Sequence, residues 1–151
     1  MSKTYVLRAH LHVPIPIAEA FAFFADARNL GRITPPELGF AIATAQPIGM
    51  ARGTRIDYTI RLWGFPMRWK TRIAVWEPGE RFVDEQVAGP YRSWVHTHRF
   101  TSVNGETDID DDVVYSLPFG VLGRIAAPMI RLQLHRIFRY RATEVARLLS
   151  R

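Results

Sequence analysis

SWVHTHRFTSV-NG-ETDIDDDVVYS, residues 93–116, is a pair of alternating runs joined by Asn104-Gly105. Asn-Gly favours the two-residue hairpin turn in which both residues take positive φ, so the stretch reads as an antiparallel hairpin of Ser93–Val103 and Glu106–Ser116. Counting by twos sorts each arm into faces. Trp94, His96, His98 and Phe100 share one face of the first arm, and the large aromatics turn that face inward, taking both histidines with them. In the second arm Ile109, Asp111, Val113 and Tyr115 share a face, which leaves Asp111 as an acid among apolar neighbours. Asp108, Asp110 and Asp112 fall on the opposite, solvated face.

Upstream, Thr54–Leu62, Met67–Trp76 and Arg81–Val87 alternate in the same way, and Phe40–Ala45 reads as a further strand. Phe65-Pro66 and Glu77-Pro78-Gly79-Glu80 read as the turns between them, and Gly89-Pro90 breaks the last. Ahead of these, Pro16–Ala25 places Ile17, Phe21 and Phe24 at helical spacing behind a first-turn proline. Arg28–Ile33 reads as a second short helix, stopped by Thr34-Pro35-Pro36. Tyr5–Val13 is a half-buried strand with Arg8, His10 and His12 on its polar face. Downstream, Val121–Leu149 repeats apolar residues every three or four positions and reads as one long helix, with Pro128 as the candidate kink. Its apolar stripe begins Leu122, Ile125, Met129, Leu132 and passes through Leu134, Ile137 and Phe138 to Val145 and Leu148. The order is strand, two short helices, six strands, long helix. This is an α+β chain, a seven-stranded antiparallel meander covered by its terminal helix. No repeat or linker divides residues 1–151, which read as a single domain.

The 151 residues are 48% hydrophobic and 23% charged, and they suffice for a core without staples. The absence of cysteine removes disulfides, thiolate metal sites and Cys nucleophiles. No signal peptide follows Met1-Ser2-Lys3, and no apolar run is long enough to span a bilayer, so a cytoplasmic, bacterial-type protein with no integral membrane association is expected. The net charge of +6 is concentrated in Arg124–Arg151, which holds seven arginines and a single acid, Glu144. A basic helix raises membrane-surface or nucleic-acid binding as functions. No helix-turn-helix, finger or ribonucleoprotein motif supports nucleic acid. The apolar stripe of the helix, for its part, is expected to be used in closing the sheet.

Strand parity gathers Tyr58, Asp84, Gln86, His96, His98, Asp111 and Tyr115 inside. Buried carboxylates and imidazoles must pair or change protonation state. A cavity that holds the polar end of a ligand collects such groups more readily than a filled core does. Tyr58, Trp69 and Trp94, with Met129 and Leu132 from the helix, are the expected apolar wall. His96, His98, Asp111, Asp84 and Gln86 are expected to orient a polar group. Mutual His–Asp pairing is the plainer reading of any one of these residues. His96-x-His98 with Asp111 or Asp84 also has the makings of a metal site, but no specific ligand motif supports it, and neither metal nor cofactor is expected.

Several local motifs resemble the START-like, or SRPBCC, superfamily of polyketide cyclases and lipid-transfer domains. They are Ala22-Phe23-Phe24-Ala25-Asp26 with Asn29-Leu30, Ile33-Thr34-Pro35-Pro36-Glu37-Leu38-Gly39-Phe40, and Arg81-Phe82-Val83-Asp84-Glu85-Gln86. Further on come Gly89-Pro90-Tyr91-Arg92-Ser93-Trp94-Val95-His96-Thr97-His98-Arg99-Phe100, Asp111-Asp112-Val113-Val114-Tyr115 and Leu117-Pro118-Phe119-Gly120. The set is similar to a bacterial subgroup of stand-alone ligand-binding members. The resemblance implies a helix-grip fold, with the sheet wrapped around the C-terminal helix and a ligand tunnel between them. It implies a small hydrophobic or amphipathic ligand, lipid-, polyketide- or aromatic-like. The superfamily shares no catalytic motif, so no catalytic residue is assigned. The expected function is therefore binding. One alternative is a cyclase- or dehydratase-like lyase or isomerase using a cavity histidine, with Asp111 as its orienter. A second is a basic-helix module for anionic membrane or nucleic acid. Monomer and homodimer both remain open.

Overall fold

The computed structural model describes residues 3–46 and 48–150; Met1, Ser2, Pro47 and Arg151, counted in the sequence reading, lie outside the described residues. The elements are β1 (Thr4–Val13), α1 (Ile17–Ala25), α2 (Asn29–Arg32), a 3-10 turn at Pro36–Leu38, and β2 (Ala41–Ile42). They continue with β3 (Arg55–Leu62), β4 (Phe65–Glu77), β5 (Arg81–Ala88), β6 (Ser93–Val103), β7 (Glu106–Ser116) and α3 (Gly120–Leu148). The seven strands form one antiparallel sheet in the order β1-β7-β6-β5-β4-β3-β2. Its concave face grips α3, which is the arrangement expected.

The β6–β7 hairpin turns at Asn104-Gly105, with φ of 52° and 77°, as Asn-Gly dictates. Parity holds along it: Trp94, His96, His98, Phe100, Ile109, Asp111, Val113 and Tyr115 are all buried. The outer face of the sheet is a polar ladder. Arg8 donates to Asp112, and His10 and His12 meet Asp110 and Asp108 across β1 and β7.

Two expectations about β4 fail. The β3–β4 turn is Trp63-Gly64, not Phe65-Pro66, and Pro66 lies within β4 opposite Arg61. In a two-residue hairpin the flanking pair, Leu62 and Phe65, is the hydrogen-bonded one. The next residue on β4 therefore aims its nitrogen away from β3. Pairing with β5 begins only at Lys70, so Pro66 deprives no partner of a donor. Between Ile73 and Val75 the register with β5 shifts by one, which makes Ala74 a bulge and reverses the parity beyond it. Trp76 consequently packs inward, with its ring 5.1 Å from Phe21 and 5.4 Å from Phe82.

The largest departure is in α3. The helix runs unbroken through Pro128, but its inward line in the first half is Gly123, Ala127 and Ile130, leading into Leu134, Phe138 and Val145. Gly123 lets the helix lie close against the Leu117-Pro118 connection that leads into it, and Ala127 packs on the core. A Cβ at position 123 would lie 2.3 Å from the Pro118 carbonyl oxygen. Leu122, Ile125, Met129 and Leu132, the bulky side chains that a hydrophobic count selects, point outward and are more than half exposed. Met129 and Leu132 are therefore not cavity wall.

Candidate ligand-binding site

Between β3–β6, α3 and the α1–α2 segment lies a cavity of ≈ 170 Å³. Its wall is mostly aromatic. Trp69 stands edge-on to Trp94 at 5.2 Å and stacks on Tyr58 at 5.7 Å, while Tyr91 lies 4.8 Å from Trp94. Phe40, Phe82 and Phe138 complete the wall, and Leu38, Gln133 and Ile137 form one side of it. Tyr58 and Tyr91 are desolvated there, which pushes both phenols above their usual value and keeps them neutral.

Four residues at one end form a crossed pair of hydrogen bonds. In the strand register Asp84 lies opposite His96, and Asp111 lies opposite His98. The side chains nonetheless bond diagonally: His98 Nε2 meets Asp84 Oδ2 at 2.6 Å, and His96 Nε2 meets Asp111 Oδ1 at 2.8 Å. The two imidazoles, two residues apart on one face of β6, stack with centroids 3.6 Å apart. Phe82 covers the other side of His98 at 4.0 Å.

Burial alone would lower both imidazoles, but they are driven apart. Burial and the charge of His98 hold His96 below its ordinary value despite Asp111. His98 is also desolvated, yet the carboxylates of Asp111 and Asp84 overcome this and raise it. Placement between Phe82 and His96 favours the same cation. Burial pushes Asp84 and Asp111 up, and the imidazoles bring both below the carboxylate range, Asp111 well below. Within the group the two carboxylates stay ionised more readily than usual, and a proton is held more readily on His98 than on His96.

Three buried polar atoms on the wall have no hydrogen-bond partner among the described residues: Trp69 Nε1, Thr71 Oγ1 and His98 Nδ1. His98 Nδ1 lies 3.3 Å from Asp111 Oδ1, a charge contact without the alignment of a hydrogen bond.

Of the residues expected to form the site, Tyr58, Trp69, Asp84, Trp94, His96 and His98 come together on the cavity wall. Asp111 lies behind the histidines. Gln86 is used structurally: its amide donates to the Tyr91 carbonyl at 2.7 Å and accepts the Tyr91 N–H at 3.1 Å, bracing the Gly89-Pro90 turn. Tyr115 is buried and stacks on Tyr5 at 5.4 Å, off the cavity wall. Met129 and Leu132 lie on the outer surface. Thr71 and Arg141 are on the wall and were not foreseen. Arg141 holds its guanidinium 5.5 Å from the Phe24 ring and 5.7 Å from Phe138, and its charge helps to lower Asp84 and Asp111. The signal was present, because Arg141 continues the helical spacing Leu134–Phe138 as a charge on the inward stripe.

Asp84, His96 and His98 place ligand atoms within 4.8 Å of one another, the spacing of a small cation site. The donor set does not fit one well. His98 Nε2 and Asp84 Oδ2 are hydrogen-bonded to each other, and His96 Nε2 is engaged by Asp111, so these atoms are already used in mutual pairing. Arg141 adds positive charge beside them.

A sheet closed on a long helix over an aromatic chamber, with imidazole–carboxylate pairs at one end, defines a cavity-bearing helix-grip domain. A sequence model of the polyketide cyclase/dehydrase and lipid transport family matches residues 13–139, and the chain belongs to that family. No curated protein sequence matches it. Among solved structures, protein CV1439 from Chromobacterium violaceum superposes with a TM-score of 0.74 at 15% identity, over 97% of this chain and 99% of that one. The ZhuI aromatase/cyclase from Streptomyces sp. R1128 gives 0.76 at 14% identity, over 95% and 92%. A point mutant of norcoclaurine synthase from Thalictrum flavum, in complex with a transition-state analogue, gives 0.71 at 16%, over 99% and 96%. At these identities the likeness is one of fold.

Proposed function

We propose that the chain binds a small, largely apolar organic molecule with one polar group in the chamber between sheet and α3. The reading is carried by Trp69 Nε1, a buried donor without a hydrogen-bond partner among the described residues on a wall otherwise aromatic; Thr71 Oγ1 faces Tyr58 and His98 Nδ1 faces Asp111 at 3.3 Å. Leaving such a group unsatisfied costs about 1–3 kcal/mol, and a ligand oxygen would recover it. Size narrows the class. An apolar protein cavity of ~150 Å³ takes benzene, so ≈ 170 Å³ suits a molecule of one or two rings rather than a long-chain lipid. The family's description and the aromatase/cyclase and norcoclaurine synthase neighbours support small organic ligands in general.

The test is titration of 1-naphthol and naphthalene, read by tryptophan fluorescence, on the wild type and on Trp69→Phe. That variant keeps a ring and removes the donor. Weakening of naphthol binding by about fivefold, the worth of one hydrogen bond, with naphthalene unchanged, supports the reading. If neither compound binds, and native mass spectrometry of the purified protein shows no retained molecule of this size, the reading is lost.

One observation favours a second reading, an acid–base lyase or isomerase. His98 and His96 are side by side with their pKa values driven in opposite directions, the arrangement that separates an acid from a base. His98 would protonate a carbonyl oxygen, with Asp84 as the group that positions it. His96 would take the proton from the adjacent carbon. Deuterium exchange α to the carbonyl of bound 1-tetralone in D2O, lost in His98→Gln and in His96→Gln, is the expected result. Exchange at the background rate with wild-type protein rules the reading out.

A further inference from the structure

The outward stripe of α3 is the most unusual surface of the molecule. Leu122, Ile125, Met129 and Leu132 occupy one helical face, and Leu132 is 72% exposed. The tip of the β3–β4 hairpin meets this stripe, since Trp63, Met129 and Leu132 line one surface groove. Phe65 follows Trp63 at the tip and is 71% exposed, and Phe119, just ahead of α3, is 81% exposed. Exposed apolar side chains gathered in this way mark interaction surfaces.

Backbone geometry sets two of these aromatics apart. The non-glycine residues with positive φ among the described residues are Trp63 (49°), Asn104 (52°) and Phe119 (67°). Asparagine tolerates that region, whereas bulky residues are rarely found there. Trp63 occupies the turn position that Asn104 fills at the other hairpin. An aromatic held in an unfavourable backbone state and left half or more exposed is suited to contact with something else.

The surrounding charge says what. The first half of α3 carries Arg124 and Arg131 and no acid, Arg136 and Arg61 line the groove, and the hairpin adds Arg68 and Lys70. Arg124 and Arg131 have no carboxylate partner among the described residues. The one acid at the groove, Glu37, is paired to Arg136. A second copy of this chain would set arginines against arginines across a two-fold axis. An anionic bilayer matches both parts, with acyl and interfacial depth for the apolar stripe and tryptophan, and phosphate for the cations. Among the described residues no helix is long and apolar enough to cross a membrane.

We propose that the first half of α3 and the β3–β4 hairpin form a docking face that lies on anionic phospholipid surfaces. The groove shares Leu38, Gln133 and Ile137 with the cavity wall, so the docked face adjoins the chamber, with the Glu37–Arg136 ion pair between the 3-10 turn and α3 at that boundary. The inference rests on the outer surface and stands whether or not the chamber's ligand is the one proposed above.

The test is co-sedimentation of the full chain with vesicles of phosphatidylcholine containing 30 mol% phosphatidylglycerol, against pure phosphatidylcholine. The expected result is binding to the anionic vesicles, about tenfold or more weaker on the neutral ones, and weakened by raising salt from 50 to 500 mM. Trp63→Asn gives the turn its preferred residue while removing the ring, and Leu132→Ser removes an outward side chain. Each should melt no lower than about the wild type and bind anionic vesicles about tenfold less. Equal binding of these variants, or no vesicle binding by the wild type, overturns the proposal. So does a wild-type dimer in solution that Leu132→Ser dissociates, or binding of single-stranded DNA or RNA in preference to the vesicles.

Discussion

The sheet carries His–Asp pairs on both faces. Outside, His10 Nδ1 meets Asp110 at 2.7 Å and His12 Nδ1 meets Asp108 at 2.6 Å, with Glu106 at 2.6 Å from the second ring nitrogen of His12. Inside, His98 meets Asp84 and His96 meets Asp111 at nearly the same distances. Distances alone do not distinguish the two sets; burial does. On the outer face water screens each pair, and the hydrogen bonds to Glu106 and Asp108 raise His12 without opposing it to a neighbour. On the inner face two stacked rings and two carboxylates share one desolvated space, so protonating one ring suppresses protonation of the other. Hydrogen-bonded residues of the same kinds are a surface ladder in one place and a proton-sorting group in the other.

Removing one acid from each face tests this most directly. Asp111→Ala leaves two buried imidazoles short of a counter-charge and should cost about 3–5 kcal/mol in urea unfolding. A loss below 1 kcal/mol would mean that the interior quartet is hydrated and behaves as surface. Next in size is the pH response. His98 sits above its ordinary value, so its contribution to stability is complete below the unfolded imidazole pKa of about 6.5. That contribution fades as pH rises through the raised folded value. His96 is depressed, so the unfolded chain binds its proton first and stability falls as pH drops below about 6.5. Asp84 and Asp111, also depressed, withdraw their contribution at lower pH still. The midpoints read from nitrogen-15 chemical shifts of the two side chains should therefore lie on opposite sides of about pH 6.5, His98 above and His96 below, and a common midpoint contradicts the sorting. The smallest effects lie outside. Asp110→Ala should change stability by less than about 1 kcal/mol. Sodium chloride at 1 M should erase that difference while leaving the Asp111→Ala deficit intact; equal attenuation of both would place them in the same environment.

The β6–β7 hairpin was legible because three signals agree there, the Asn104-Gly105 turn, strict alternation and aromatics on one face. That agreement located His96, His98 and Asp111, and parity in β5 added Asp84. Failures occurred where local chemistry and tertiary geometry disagree. At Trp63-Gly64 only the glycine signals a turn, with a bulky residue in the position asparagine usually fills, so the nearby Pro66 attracted the turn. Ala74 inserts one residue and sends Trp76 inward, which alternation cannot anticipate. In α3 the inward line of the first half runs through Gly123, against the Leu117-Pro118 connection, and Ala127, on the core, residues that a hydrophobic count overlooks, while the weight of Leu122, Ile125, Met129 and Leu132 points the wrong way. Arg141 was missed although its half of the stripe was phased correctly, because a count of apolar residues passes over a charge at an inward position.

Pro66 has a consequence beyond the hairpin it sits in. From Phe65 to Trp69 the β5 side of β4 is a free strand border, next to apolar side chains, and such a border invites another chain to add itself. Proline withholds the amide that an incoming strand would need first. A hydrophobic tip can thus be displayed in water without seeding fibrils. Pro66→Thr, which restores that amide with a strand-forming residue, should shorten the lag of thioflavin-positive aggregation on agitation, and an unchanged lag would show that the border is guarded by other means.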